Sequence, residues 1–295
     1  MSKFLSAERH ALTAYAPPCS IIEPNPKAAS TPLILASPHS GALYPPSWLR
    51  RCAVPLSALR QSEDAFVDDL FRAGPQLGAP LLRAHFPRSF VDVNRAADEL
   101  PPQWSLQAGE PSALARAGLG VIPLCISRGV NIYKQTPPPA IAAPRIDALY
   151  HPYHTALRGL IARVLAKHGF AALIDCHSMP GFGPQNSRHP DFILGDRYGR
   201  SCPQSLTDHT AKTLTAMGYS VGRNSPYAGG YTTRHYGEGG DNVHALQIEI
   251  NRDLYLNAHK MSKKPGYEKL QNDLGVLTQS LITHYAQSSQ SLAAQ

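Results

Sequence analysis

Two continuous apolar runs, Leu33-Ile34-Leu35-Ala36 and Ala171-Ala172-Leu173-Ile174, lack the alternation of a half-exposed strand and are too short for a buried helix. Such runs predict strands covered on both faces, as in a largely parallel sheet packed under helices. The strands are placed at 31–37 and 170–176, with further strand signals at Leu81 to His85, Ser89 to Val93, Phe192-Ile193-Leu194-Gly195 and 244–250. Between them the period changes to that of a helix. Phe66, Leu70 and Ala73 recur at helical spacing across 62–74, with Ser62 as N-cap and Gly74 as stop. Leu157, Leu160, Ile161, Val164 and Leu165 form an apolar stripe from Tyr150 to His168, closed by Gly169. Helices are also expected at 203–217 and near 265–286.

Helices that lead into strands predict an α/β fold, with a mixed central sheet covered by helices on both faces. A single domain is expected over 31–286, preceded by an irregular lead-in over 1–30 that Pro17, Pro18, Pro24 and Pro26 interrupt. The segment 96–145 is proline-rich and weakly periodic, so long loops are expected there, in the manner of a lid. A polar tail, 287–295, is expected to fray.

Composition narrows the function classes. The chain is 43% hydrophobic and 17% charged, values ordinary for a soluble globular protein. No stretch of eighteen apolar residues and no secretory signal is seen, so the expectation is a cytoplasmic protein without a membrane partner. Five scattered cysteines without a CxxC pair read as packed thiols. The net charge of +7 is dispersed, and aromatic stacking motifs are absent, so nucleic acid is not the expected partner. A positive field suits a small anionic substrate equally well.

The chemistry gathers where strands end. Each of the two apolar runs stops in a histidine followed by serine, His39-Ser40 and His177-Ser178. Ligands of open α/β sheets bind beyond the carboxyl ends of strands, which points both imidazoles at one crevice. A catalytic zinc takes three ligands from His, Asp and Glu and keeps a position for water. The carboxylate nearest His39 is Glu63 or Asp64, each of which has a second reading as a charge at a helix N-terminus. Glu249 interrupts the apolar strand 244–250 and shares a face with Gln247. A buried carboxylate there suits a general base, with an ion pair to Arg252 as the other reading. Asn94-Arg95, Arg88 and Arg234 are candidates for binding carboxylates, and Gly229-Gly230 would let backbone approach a ligand. Alternation turns Cys176 away from the face of His177.

At these residues the sequence resembles the N-formylglutamate amidohydrolase family. The matching stretches are Ser37-Pro38-His39-Ser40-Gly41, Asp64 with Val67-Asp68-Asp69-Leu70, and Val91-Asp92-Val93-Asn94-Arg95. They continue with Tyr150-His151-Pro152-Tyr153-His154, Asp175-Cys176-His177-Ser178 and Phe192-Ile193-Leu194-Gly195. The last are the Tyr227 to Gly237 segment and His244 to Asn251. The family is similar to zinc carboxypeptidases and aspartoacylases and implies a phosphorylase/hydrolase-like fold. The resemblance implies one zinc ion per chain on His39, Asp64 and His177, with Glu249 as general base and Arg88 at the scissile carbonyl. It implies Asn94, Arg95 and Arg234, with Gly230 and Tyr231, as substrate contacts. The implied reaction is hydrolysis of N-formyl-L-glutamate to formate and L-glutamate. The alternatives are a zinc deacylase or peptidase for another N-acyl amino acid, and a binding protein that keeps the pocket.

Overall fold

Every residue of strand β2 (Leu33–Ser37) is buried, as a fully covered strand requires. In the computed structural model, which describes residues 2–104, 110–126, 129–183, 186–240 and 242–293, β2 belongs to a sheet of seven strands. In chain order the strands are β1 (Cys19–Ile22), β2, β3 (Leu81–Ala84), β4 (Cys125–Ile126), β5 (Val130–Asn131) and β6 (Ala171–Met179). They continue with β7 (Phe192–Gly195), β8 (Val221–Arg223), β9 (Val243–Asn251), β10 (Leu256–Asn257) and β11 (Ser262–Lys263). The sheet runs β1-β3-β2-β6-β9-β7-β8, while β4-β5 and β10-β11 form two short antiparallel pairs.

The sheet is mixed. β6 runs parallel to both β2 and β9, and β7 is antiparallel to β9 but parallel to β8. Helices flank it, among them His151–His168, Gln204–Ala216, Tyr231–Gly237 and Tyr267–Ala293. None of the described helices is long and apolar enough to cross a membrane.

Contacts divide the chain into two interleaved units. Met1–Ser20, Pro38–Ala65 and Arg83–Ala156 make the first, and Ile21–Ser37, Phe66–Leu82 and Leu157–Gln295 the second. The first is built on an aromatic cluster, with Phe90 centred 5.0 Å from Trp48 and 5.2 Å from Tyr15. The Arg145 guanidinium lies 3.7 Å over the Phe90 ring and donates to both carboxylate oxygens of Glu8. Both charges are buried, so each satisfies the other in place of water. The second unit holds the sheet centre, where Leu33, Ile34, Leu173, Ile174, Leu246 and Ile248 have no exposed surface.

Several sequence expectations are corrected here. Residues 1–30 are not an irregular lead-in, since Ser2–Thr13 is helical and β1 joins the sheet. The Glu8 pair with Arg145, a partner 137 residues away, anchors that helix. The predicted helix over 62–74 starts only at Val67, because Phe66 takes a left-handed φ of 63°, and it is divided into Val67–Leu70 and Ala73–Gln76. Ser62 donates to the Leu59 carbonyl instead of capping, and Gly74 lies inside the second short helix rather than stopping the first. Ser89 to Val93 is buried but forms no strand. The Asp92 side chain accepts the Asn94 N–H, a local turn that competes with extended pairing. The C-terminal helix continues to Ala293 and takes in most of the predicted tail. The described part of 96–145 carries only short helical turns and the β4-β5 pair, as its composition suggests.

Candidate active site

β6 and β2 pair in parallel register, with Ala36 opposite Asp175. His39 follows two residues past the end of β2, and His177 lies two residues past Asp175. The register alone would set position 39 opposite Ser178, so His39 owes its place to the turn over 38–39 that follows β2. The acid comes from a different kind of contact. The Asp64 N–H donates to the His39 carbonyl at 3.0 Å, and Ser40 Oγ donates to the Asp64 carbonyl at 3.2 Å. This places Asp64 Oδ2 3.3 Å from His39 Nδ1. His39, Asp64 and His177 each offer one ligand atom, all within 4.8 Å of one another, and all three residues are buried.

Of the two acids, Asp64 is the one within this group. Glu63 is engaged elsewhere, accepting from Tyr44 Oη at 2.7 Å and from Arg60 Nε at 2.9 Å.

Two further aspartates stand behind the histidines, and neither was a candidate in the sequence. His39 Nε2 lies 2.8 Å from Asp92 Oδ1, and His177 Nε2 lies 3.0 Å from Asp175 Oδ2. A carboxylate accepts and does not donate, so these contacts assign the imidazole protons to Nε2 and leave Nδ1 as the nitrogen that could ligate a metal. Burial alone would raise the Asp92 carboxyl, but Arg88, His39 and Arg95 hold it well below the usual carboxylate range. Asp175 needed the strand geometry to be seen, because it shares a face with His177 only when 171–179 is extended. Two nitrogens and a carboxylate oxygen, with aspartates behind the rings, are the donor set that zinc takes in catalytic sites.

Glu249 pairs with His177 across β6 and β9, so the two side chains leave adjacent strands at the same level. It is buried, and its Oε1 accepts from Gln247 Nε2 at 2.8 Å. Arg252, the other partner considered for it, donates to Ser178 Oγ at 3.0 Å and to the Ser178 carbonyl at 3.3 Å. Cys176 has no exposed surface, and burial pushes its thiol well above the ordinary range, which disables it as a nucleophile at neutral pH.

The polar residues of the first unit form a connected group. Arg88 Nη2 donates to Asp92 Oδ2 at 2.8 Å. Arg95 spends Nε on the Leu119 carbonyl and Nη1 on the Asn94 carbonyl, with Nη2 3.9 Å from Asp92 Oδ2. The Tyr150 hydroxyl donates to the Arg95 carbonyl and His154 Nε2 to the Val93 carbonyl, so two members of the Tyr150 to His154 motif hold the Asn94-Arg95 turn. In the second unit, Gly229 has a φ of +115°, and a Cβ there would meet Thr233 Oγ1 at 2.5 Å. The following Gly230 N–H donates to Gln247 Oε1, and Tyr231 opens the helix that carries Arg234. Arg234 is exposed, its guanidinium 6.0 Å from the Tyr231 ring centre.

Residues 31–256 match the model of the N-formylglutamate amidohydrolase family. A Pseudomonas aeruginosa protein described as N-formylglutamate deformylase is 32% identical over 237 residues, covering 78% of this chain and 84% of that protein. A Pseudomonas putida protein of the same description is 29% identical over 230 residues, covering 76% of this chain and 82% of its own length. The crystal structure of an N-formylglutamate amidohydrolase from Ralstonia eutropha superimposes with a TM-score of 0.84 at 32% identity, over 92% of this chain and 99% of that one. With a family match over most of its length, and the acids and imidazoles of the matched motifs gathered as described, the chain belongs to the N-formylglutamate amidohydrolase family.

Proposed function

We propose that the protein is a metal-dependent amidohydrolase that cleaves the linear amide of N-formyl-L-glutamate to formate and L-glutamate. The observation that carries this reading is the buried His39, Asp64 and His177 group with Glu249 paired to His177 across the sheet. His39, Asp64 and His177 would hold one zinc ion. When bound, the ion supplies the Lewis acidity that makes water a nucleophile near neutral pH and polarises the formyl carbonyl.

The remaining work falls to the chain. Glu249 takes the proton of the attacking water and returns it to the departing amine nitrogen of glutamate. Arg88 donates to the carbonyl oxygen as negative charge develops on it, a kind of contact whose removal costs about 100- to 1,000-fold in rate. Asn94, Arg95 and Arg234 receive the two carboxylates of the substrate, and Gly230 and Tyr231 bring backbone and ring against it. The charge of +7 suits a substrate with two acid groups.

Replacement of Glu249 by glutamine tests the assignment. Turnover is expected to vanish while zinc per chain stays at the parental level. Retention of more than about a tenth of the parental rate would remove the general base, whose contribution is on the order of 100- to 10,000-fold. A panel of formyl, acetyl and longer acyl derivatives of glutamate, aspartate and neutral amino acids tests the substrate. Preference for a neutral amino acid would refute the two-carboxylate reading.

A further inference from the structure

Gln247 precedes Glu249 by two residues on β9, so both side chains leave the same face of the sheet. It is buried, and each end of its amide is committed. Oε1 accepts from the Gly230 N–H at 2.9 Å, and Nε2 donates to Glu249 Oε1 at 2.8 Å. A backbone N–H can only donate, which fixes the amide oxygen toward Gly230 and the amide NH2 toward Glu249. The amide cannot turn over without losing both bonds. Gly230 is in turn held next to Gly229, whose left-handed backbone no other residue adopts without strain. Across the sheet, Gln247 pairs with Asp175. A neutral side chain at 247 therefore separates the acid behind His177 from the acid at 249. A glutamate there would crowd three carboxyls onto adjoining positions.

We infer that Gln247 is a positioning residue for the reaction. It fixes the Glu249 carboxylate in one orientation and ties that orientation to the backbone of the Gly229-Gly230 loop, so that a ligand engaging the loop acts on the base through the amide. The inference rests on Glu249 as the general base.

Two substitutions test it. Gln247→Leu removes both hydrogen bonds at similar volume, and Gln247→Glu keeps an acceptor for Gly230 but loses the donor to Glu249. With N-formyl-L-glutamate, kcat is expected to fall about 10- to 100-fold in both, the scale of misplacing a catalytic group by roughly 1 Å. In Gln247→Glu, which keeps the acceptor for Gly230, KM should stay within about threefold, whereas Gln247→Leu also releases the loop and should raise it. Zinc per chain should not change in either, since the metal ligands are untouched. A glutamine with only a packing role would lower the unfolding midpoint and leave kcat of the folded enzyme alone. Values of kcat within about twofold of the parent in the folded variants overturn the inference. Should Gln247→Leu fail to fold, Gln247→Met, which removes both hydrogen bonds at similar volume and adds no charge, carries the same test. An active Glu249→Gln enzyme removes the general base, and this inference with it. An inactive Glu249→Gln beside Gln247 variants with parental kcat removes this inference alone.

Discussion

Replacing the aspartates behind the two histidines by asparagine isolates what they contribute to metal binding. Asn keeps an acceptor oxygen and the volume but removes the charge. The contacts at stake are His39 Nε2 to Asp92 Oδ1 at 2.8 Å and His177 Nε2 to Asp175 Oδ2 at 3.0 Å, all four residues being buried. A buried hydrogen bond to a charged partner contributes about 1.5–3 kcal/mol, and a neutral one about half of that. The difference, roughly 0.75–1.5 kcal/mol, corresponds to about four- to tenfold weaker zinc affinity, near the lower end of what outer carboxylates contribute to metal sites. Asp92→Asn should cost more than Asp175→Asn, because Asp92 also accepts from Arg88 at 2.8 Å and its loss leaves a guanidinium without that carboxylate. Competition with a chelating dye at fixed pH measures both affinities directly, without reference to turnover. Zinc affinities within about twofold of the parent in both variants would refute the reasoning that the outer nitrogens are held by charged acceptors.

Other predictions concern stability. Removing Glu8 as Glu8→Ala leaves Arg145 buried without its carboxylate and should cost about 3–5 kcal/mol in urea unfolding, whereas a loss below about 1 kcal/mol would show that the pair does not anchor the N-terminal helix. Burial alone would raise the Glu8 carboxyl, but Arg145 and Arg51 lower it below its ordinary value. Its contribution is therefore present at neutral pH and is lost as pH falls through the lowered value of the folded state, which acid titration of the parent against Glu8→Gln should resolve as a difference that shrinks toward low pH. Gly229→Ala forces a Cβ to within 2.5 Å of Thr233 Oγ1 at a φ of +115° and should lower the unfolding midpoint by several degrees, with an unchanged midpoint counting against the tight loop.

The local pattern of the chain carried the strands, although β6 continues two residues past His177. Leu33 to Ala36 and Ala171 to Ile174 are buried on both faces, and unbroken apolar runs are what that environment demands. The placing of His39 and His177 past two such runs was legible for the same reason, and the ordered motifs from 33 to 256 made the family legible as well. Tertiary contacts decided the rest. Nothing near Glu63 and Asp64 in the chain separates the two acids, and the choice is made by Tyr44 and Arg60 taking one while the His39 carbonyl takes the backbone of the other. Asp92 and Asp175 acquire their roles only when a folded chain sets them against imidazole nitrogens. The helix expected over 62–74 fails at Phe66, where a left-handed residue turns the backbone that presents Asp64. The N-terminal helix depends on Glu8 meeting Arg145. Periodicity records which face of an element is covered, whereas the partner that satisfies a buried charge lies tens to more than a hundred residues away and leaves no local mark.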